Sequence, residues 1–336
     1  MPRPSTFLLL CSLGFAATSA SAAAPASPLA TDPLRDSVAT ATPAWADASG
    51  QPLESLSGLA PAPELGAHLR SAAAGQATNL LFQQTARWIL DKDYARIGLD
   101  SMRTNLGSRF VFDENHFVTN QFGHPYQGAL YHASARAQGL GFWQSAPYVF
   151  LGSLSWEYLM ETERPSINDL ITTSVGGLVF GEATFRLAEA VLDDRARGAE
   201  RFGRELLALV IQPAYGLTRL VDGRAFAAGP GSLRPPLGLR LHLSSAGGRF
   251  ANGLRGTGVR LGLRYDYGSL TSTPRDPAPF DLFSAEASLA LAGARDEALR
   301  QLDLGLAGLA WGRRFGLGAP CNALFGVWGR FDYLAS

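Results

Sequence analysis

The chain has 336 residues, of which 46% are hydrophobic and 17% charged, and its 29 basic residues equal its 29 acidic ones. That balance argues against a nucleic-acid binder, which needs a basic surface to displace phosphate counterions. The length is enough to bury a substantial core and to hold two units.

In chain order, Arg3, the apolar run Phe7 to Ala17 and the small residues Ala20-Ser21-Ala22 read as an export signal over residues 1–22. Cys11 falls inside that signal, which leaves Cys321 alone and without an intrachain disulfide or a cysteine metal cluster. The expected location is therefore outside the cytoplasm, in the outer membrane or otherwise the periplasm. Residues 23–63, rich in Ala, Pro, Ser, Thr and Asp, read as a disordered linker.

Residues 64–228 read as a helical region. Leu80, Leu81, Gln84 and Trp88 recur at helical steps between Glu64 and Asp91, and Arg109 to Phe122 reads as short extended structure or an ordered loop. The stretch Asp113 to Glu182 collects unusual polar residues on core-like helices. One helix starts near His124-Pro125 and runs to about Ala137, proline suiting a first helical position. A second covers about Ser145 to Glu161. A third follows Pro165, with Ser166 as N-cap and Asp169 three residues on. A fourth spans about Arg201 to Leu220, interrupted at Pro213. Thr173, Gly177 and Gly181 form a small-residue stripe suited to close helix packing. No helix has the eighteen uninterrupted apolar residues of a transmembrane span.

Residues 229–336 change to Gly-rich turns and period-two alternation. Val259, Leu261, Leu263, Tyr265 and Tyr267 face one way, and Arg260, Arg264 and Asp266 the other; Phe283, Ala285, Ala287, Leu289 and Leu291 repeat the scheme. Leu237 to Leu243, Leu299 to Trp311 and Asn322 to Tyr333 are the other candidate strands. The fold class is thus α+β: a helical region followed by an antiparallel β-meander of outer-membrane-barrel type. About five strands fall short of a closed barrel, so the meander is either incomplete or completed from the N-terminal half.

His124, Gly128, His132 and Arg136 share one helical stripe, and Ser153, Glu157 and Glu161 another. Facing each other, they would form a buried ion network that fixes how two helices dock. The functional alternative makes Glu157 or Glu161 an acid or base tuned by burial, with His124 as proton partner; no G-x-S-x-G, H-E-x-x-H or P-loop accompanies them. The histidines lie two turns apart, too far to share one metal ion easily, so no metal or cofactor is expected. Asp113, Glu114 and His116 read as a solvated loop cluster, and Glu182 with Arg186 as an intrahelical pair.

Asn120, His124-Pro125-Tyr126, Gly128, Arg136, Ser153, Trp156-Glu157-Tyr158, Glu161, Pro165-Ser166, Asp169, Gly176-Gly177 and Gly181-Glu182 together resemble the signature of the bacterial DUF3943 family. The resemblance covers the middle quarter of the chain and implies no assigned activity. Motif and stripes together mark Asn120, His124, His132, Arg136, Ser153, Trp156, Glu157, Glu161, Ser166, Asp169 and Glu182 as a binding or structural polar network. The expectation is a cell-envelope protein with a structural, binding or transport-like role, the membrane as partner and no nucleic acid. The alternative is an envelope hydrolase acting on a lipid or cell-wall substrate through Glu157, Glu161 and His124.

Overall fold

The computed structural model describes residues 12–18, 64–113, 118–227, 238–249, 255–268, 276–292, 299–316 and 322–335. The expected cleavage site, the linker 23–63, Glu114, His116 and both cysteines lie outside the described residues.

Helix α1 covers Leu65–Trp88, α2 Leu99–Leu106, α3 His124–Ala137 and α4 Phe142–Leu159. Pro125 occupies the first turn of α3, where a missing N–H costs nothing. The segment from Arg109 to Asp113 forms an ordered loop with a bridge at Val111, parallel to Ser166, and a π-type turn at Thr119–Gly123 leads into this helix. Ser166 caps α5 (Ile167–Ile171) by accepting a hydrogen bond from the Asp169 N–H at 3.2 Å. A second π-type turn, Thr172–Gly176, carries α5 without a break into α6, Gly177–Val191. Helices α7 (Gly198–Ile211) and α8 (Pro213–Val221) are parted at Gln212 and Pro213, where the proline ring ends the first helix.

Helix α3 is the hub, packed against α1, α4, α6 and α8. Small residues set how closely its neighbours approach. A Cβ on Gly128 would run into the Thr173 carbonyl, and one on Gly177 would come within 2.5 Å of the Gly128 Cα. On the other side of α3 the Tyr131 ring fills the space above Gly152, where an added Cβ would meet it at 2.7 Å.

Strands β2 (Gly238–Arg249), β3 (Arg255–Tyr267), β4 (Phe283–Ala292), β5 (Leu299–Gly316) and β6 (Asn322–Ala335) form an antiparallel meander on the five segments whose alternation predicts strands. Strand β1, Ser12–Thr18, adds to the free edge of β6, giving an open sheet of order β1-β6-β5-β4-β3-β2. One face is apolar. Its end holds Tyr265, Phe283, Leu306 and Phe331, which pack with Phe280 against Phe142, Val179 and Ala183 of the helices. Farther along the same face Val259, Leu261, Leu263, Phe325 and Val327 are exposed, joined by Trp311 through a register shift between Leu309 and Trp311. The opposite face is polar: Arg260 pairs with Asp303 at 2.9 Å, Arg264 with Glu286 at 3.5 Å and Arg330 with Asp332 at 2.5 Å.

The glycine contacts generate a paired test. Gly177→Ala will lower stability by about 2 kcal/mol or more, because its methyl meets backbone that cannot turn aside. Gly75→Ala on α1, whose added Cβ meets nothing within 4 Å, will raise stability by roughly 0.5–1 kcal/mol through helix propensity. Thermal unfolding of the two variants measures both.

Candidate functional site

The stripe His124, Gly128, His132, Arg136 does not face Glu157 and Glu161 as its spacing suggests. It lies along α5 and α6, whose own stripe Asp169, Thr173, Gly177, Gly181 runs beside it in the same direction. His124 Nδ1 is 3.1 Å from Thr173 Oγ1. Gly128 meets Thr173 and Gly177, and Gly181 packs on Ala129 and His132. The reason is steric: Gly177 and Gly181 let the α3 backbone come close enough for these short contacts.

At the far end of this zipper Glu182 is completely buried. It accepts hydrogen bonds from His132 Nε2 at 2.9 Å, Arg136 Nε at 2.8 Å and Arg186 Nε at 2.8 Å. Burial alone would raise its pKa, but Arg136, His132 and Arg186 outweigh that and hold the carboxyl far below the usual carboxylate range. An ionised carboxylate can only accept, so His132 carries its proton on Nε2. Burial lowers the His132 pKa against the pull of Glu182, which keeps the ring neutral. Its Nδ1 is buried without a hydrogen-bond partner. Arg136 also donates to the Leu140 carbonyl at 2.6 Å and stacks on Phe185 at 4.7 Å. The expected intrahelical pair of Glu182 and Arg186 is present, and it reaches further: Arg186 donates to the Pro279 carbonyl at 2.6 Å and lies 3.5 Å from Asp281. The network thereby joins α3 and α6 to the segment entering β4.

Glu157, Glu161 and Asp169 form a second, acid-rich cluster where α4 ends and α5 begins. Glu157 Oε2 accepts from the Ser166 N–H at 2.7 Å. Burial pushes Glu157 up to about 8 against that hydrogen bond, with the nearby charge of Asp169 adding to the rise. Burial likewise raises Glu161, reinforced by Glu157, and lifts Asp169 to about 7. His124 Nε2 stands 3.6 Å from Asp169 Oδ2, beyond hydrogen-bonding distance. Burial lowers His124 to about 4, so this contact is a juxtaposition of two mostly neutral groups and not an ion pair. Asn168 ties the cluster to the preceding loop by donating to the Asp113 carbonyl at 3.1 Å.

Of the remaining expected residues, Trp156 is buried and its side chain hydrogen-bonds Glu161, while Ser153 Oγ and Asn120 Oδ1 are buried without partners. Sequence reasoning missed a third polar chain, in which Gln127 Nε2 donates to the Tyr131 hydroxyl at 2.6 Å and that hydroxyl donates to Asn79 Oδ1. Asn79 in turn donates to the Gly152 carbonyl at 3.0 Å. The signal was available: Ala67, Ser71, Gly75, Asn79 and Gln83 are a small and polar stripe on α1, and it is this stripe that is buried.

Chemically, the second cluster can hold and release protons near neutral pH. A groove of about 370 Å³ between α1, α2 and α4 is lined by Gln76, Tyr148, Leu151, Ser155 and Tyr158 among others, and by neither His124, Glu157 nor Glu161. Among the described residues no group of three or more His, Cys, Asp or Glu side chains is arranged to hold a metal ion.

Two outcomes follow. Glu182→Ala leaves Arg136 and Arg186 buried without their carboxylate and will cost about 3–5 kcal/mol in urea unfolding. The pH dependence has a definite sign. Glu157 and Asp169 have folded pKa values raised above 4.5 and 3.8, so their contribution is complete below those values and is lost as pH rises through 7 to 8. Stability will therefore fall between about pH 4 and about pH 8 and level off above that, by at most about 1.4 kcal/mol per pH unit for each group. Glu157→Gln will flatten the curve, and an unchanged slope in that variant would refute the assignment.

No curated protein and no solved structure matches the chain. Residues 109–214, which contain both clusters, match the family described as Domain of unknown function (DUF3943).

Proposed function

We propose that this is a cell-envelope protein associated with the outer membrane, in which the DUF3943 helices brace a barrel-type sheet whose polar face binds or passes small charged solutes. The observation that carries the reading is the two-sided sheet. Beyond the helix contact, one face offers Val259, Leu261, Leu263, Phe325 and Val327, with Trp311 beside Phe325. The other carries Arg260, Arg264, Glu286, Asp303, Arg330 and Asp332 in mutual pairs. Alternation of this kind, with aromatics on the outer face, is how outer-membrane strands meet lipid on one side and water on the other. A closed barrel also has no unpaired edge in hydrocarbon. The helices pack on the apolar side, so in this reading they stand beside the wall and do not plug the lumen.

The rival reading, an envelope hydrolase using Glu157, Glu161 and His124, draws on carboxyl groups poised near neutral pH. It fits less well, because Glu157 is committed to the Ser166 N–H and the groove lies elsewhere.

Fractionation of the expressed full chain, with gel mobility compared before and after boiling, tests the proposal. Recovery in the outer membrane with a heat-dependent mobility shift is the expected result. Recovery in the soluble fraction without a shift would overturn it, and would make Glu157→Gln the next variant to assay for hydrolysis.

A further inference from the structure

We infer that the outer surface of α1 and α4 is a membrane-contact panel that lies against the lipid bilayer. Helix α1 is built inside out, its buried stripe being Ala67, Ser71, Gly75, Asn79, Gln83 and Ala86. Helix α4 buries Ser145, Gly152, Ser153 and Glu157 together with Phe142, Val149 and Trp156. The outward residues of both helices are apolar: Leu69, Ala72, Ala73, Ala77, Leu80 and Leu81 on one, Trp143, Pro147, Phe150 and Leu151 on the other. The contacts His68 to Tyr148 and Gln76 to Ser155 show that the helices run side by side in the same direction, so these residues share one surface.

Polar groups on this panel are bonded within the protein. Gln84 accepts from Trp88 Nε1 at 2.6 Å and donates to Gln83 at 2.8 Å. Thr78 donates to the Ala74 carbonyl, and Ser155 bonds Gln76. Satisfying side chains internally is what an acyl environment demands and what water does not.

Charge placement selects lipid over a protein partner. Helix α1 contains no acidic residue, and the one charge on α4 is the buried Glu157. Arg70 and Arg87 stand at the two ends of α1, about 25 Å apart along the axis. Arg87 stacks on Trp88 at 5.0 Å. An apolar field rimmed by arginine and tryptophan is complementary to acyl chains bordered by anionic headgroups. The groove of about 370 Å³ between α1, α2 and α4 runs along the same field and offers room for an acyl chain. Among the described residues no helix is long and apolar enough to cross a membrane, and a panel lying in the interface needs no such helix.

The inference rests on the envelope reading only in requiring a membrane within reach, and the two can fail separately. In a C11S/C321S full chain, single cysteines at Leu81, Phe150 and, as control, Glu200 on α7 would carry an environment-sensitive fluorophore. Vesicles of phosphatidylethanolamine and phosphatidylglycerol with nitroxide-labelled acyl chains should remove most of the fluorescence at Leu81 and Phe150 and little at Glu200. R70Q/R87Q should weaken partition into these vesicles roughly fivefold per arginine. Equal quenching at all three sites, or none, would overturn the inference. So would shielding of the Leu81 and Phe150 labels in concentrated protein without lipid, which would make a second copy the occupant. Lipid quenching without a heat-dependent mobility shift would retain the panel and remove the barrel; the converse pattern would do the reverse.

Discussion

The buried charge of Glu182 is the constraint on which the helical region depends. A carboxylate withdrawn from water is tolerated only with full compensation, and here the donors come from two helices: His132 and Arg136 on α3, Arg186 on α6 itself. Each arginine brings a further attachment. Arg136 reaches the turn before α4 through the Leu140 carbonyl, and Arg186 reaches the sheet entrance through the Pro279 carbonyl. One anion thus fixes the relative position of four segments that apolar packing would leave free to slide. Such a network is better understood as selecting one arrangement than as adding net stability, since a well-packed apolar core of equal volume can be as stable.

The second cluster follows the opposite electrostatic rule. Glu157, Glu161 and Asp169 have like-charged neighbours and few donors, so burial resolves their cost by protonation instead of pairing. The two solutions sit at opposite ends of one helix stripe. Between them lie Gly128, Gly177 and Gly181, whose close backbone approach leaves no room for water. The first cluster is strongest where carboxylates are ionised and the second where they are neutral, so the helical region is most stable at intermediate pH.

Much of this architecture was legible in the sequence. Pro125 at a helix start, Ser166 as a cap and Pro213 as an interruption mark backbone events that single residues dictate, and they lie where the residues put them. The five C-terminal strands followed from alternation, because only an extended chain turns successive side chains to opposite faces. What spacing could not supply was the partner of each stripe: it tells which residues share a face, but His132 and Arg136 meet Glu182 and not Glu157, a choice made by glycines on a third helix. Helix α2 is eight residues long and gave too short a pattern to read. Strand β1 falls in the apolar run expected to be an export signal, where a short apolar segment fits an open sheet edge as readily as it fits a leader.

The parallel arrangement of α3 and α5–α6 also has a kinetic side. The hydrogen bonds that join them span 46 to 50 residues of chain, with the whole of α4 between. None can form until the chain has travelled out along α4 and returned, so closing that loop precedes any reward from the contacts it permits. Until then His132, Arg136 and Glu182 remain hydrated, and the glycine seam cannot shut around them. Desolvation of the central charge is therefore tied to the docking of α6 on α3.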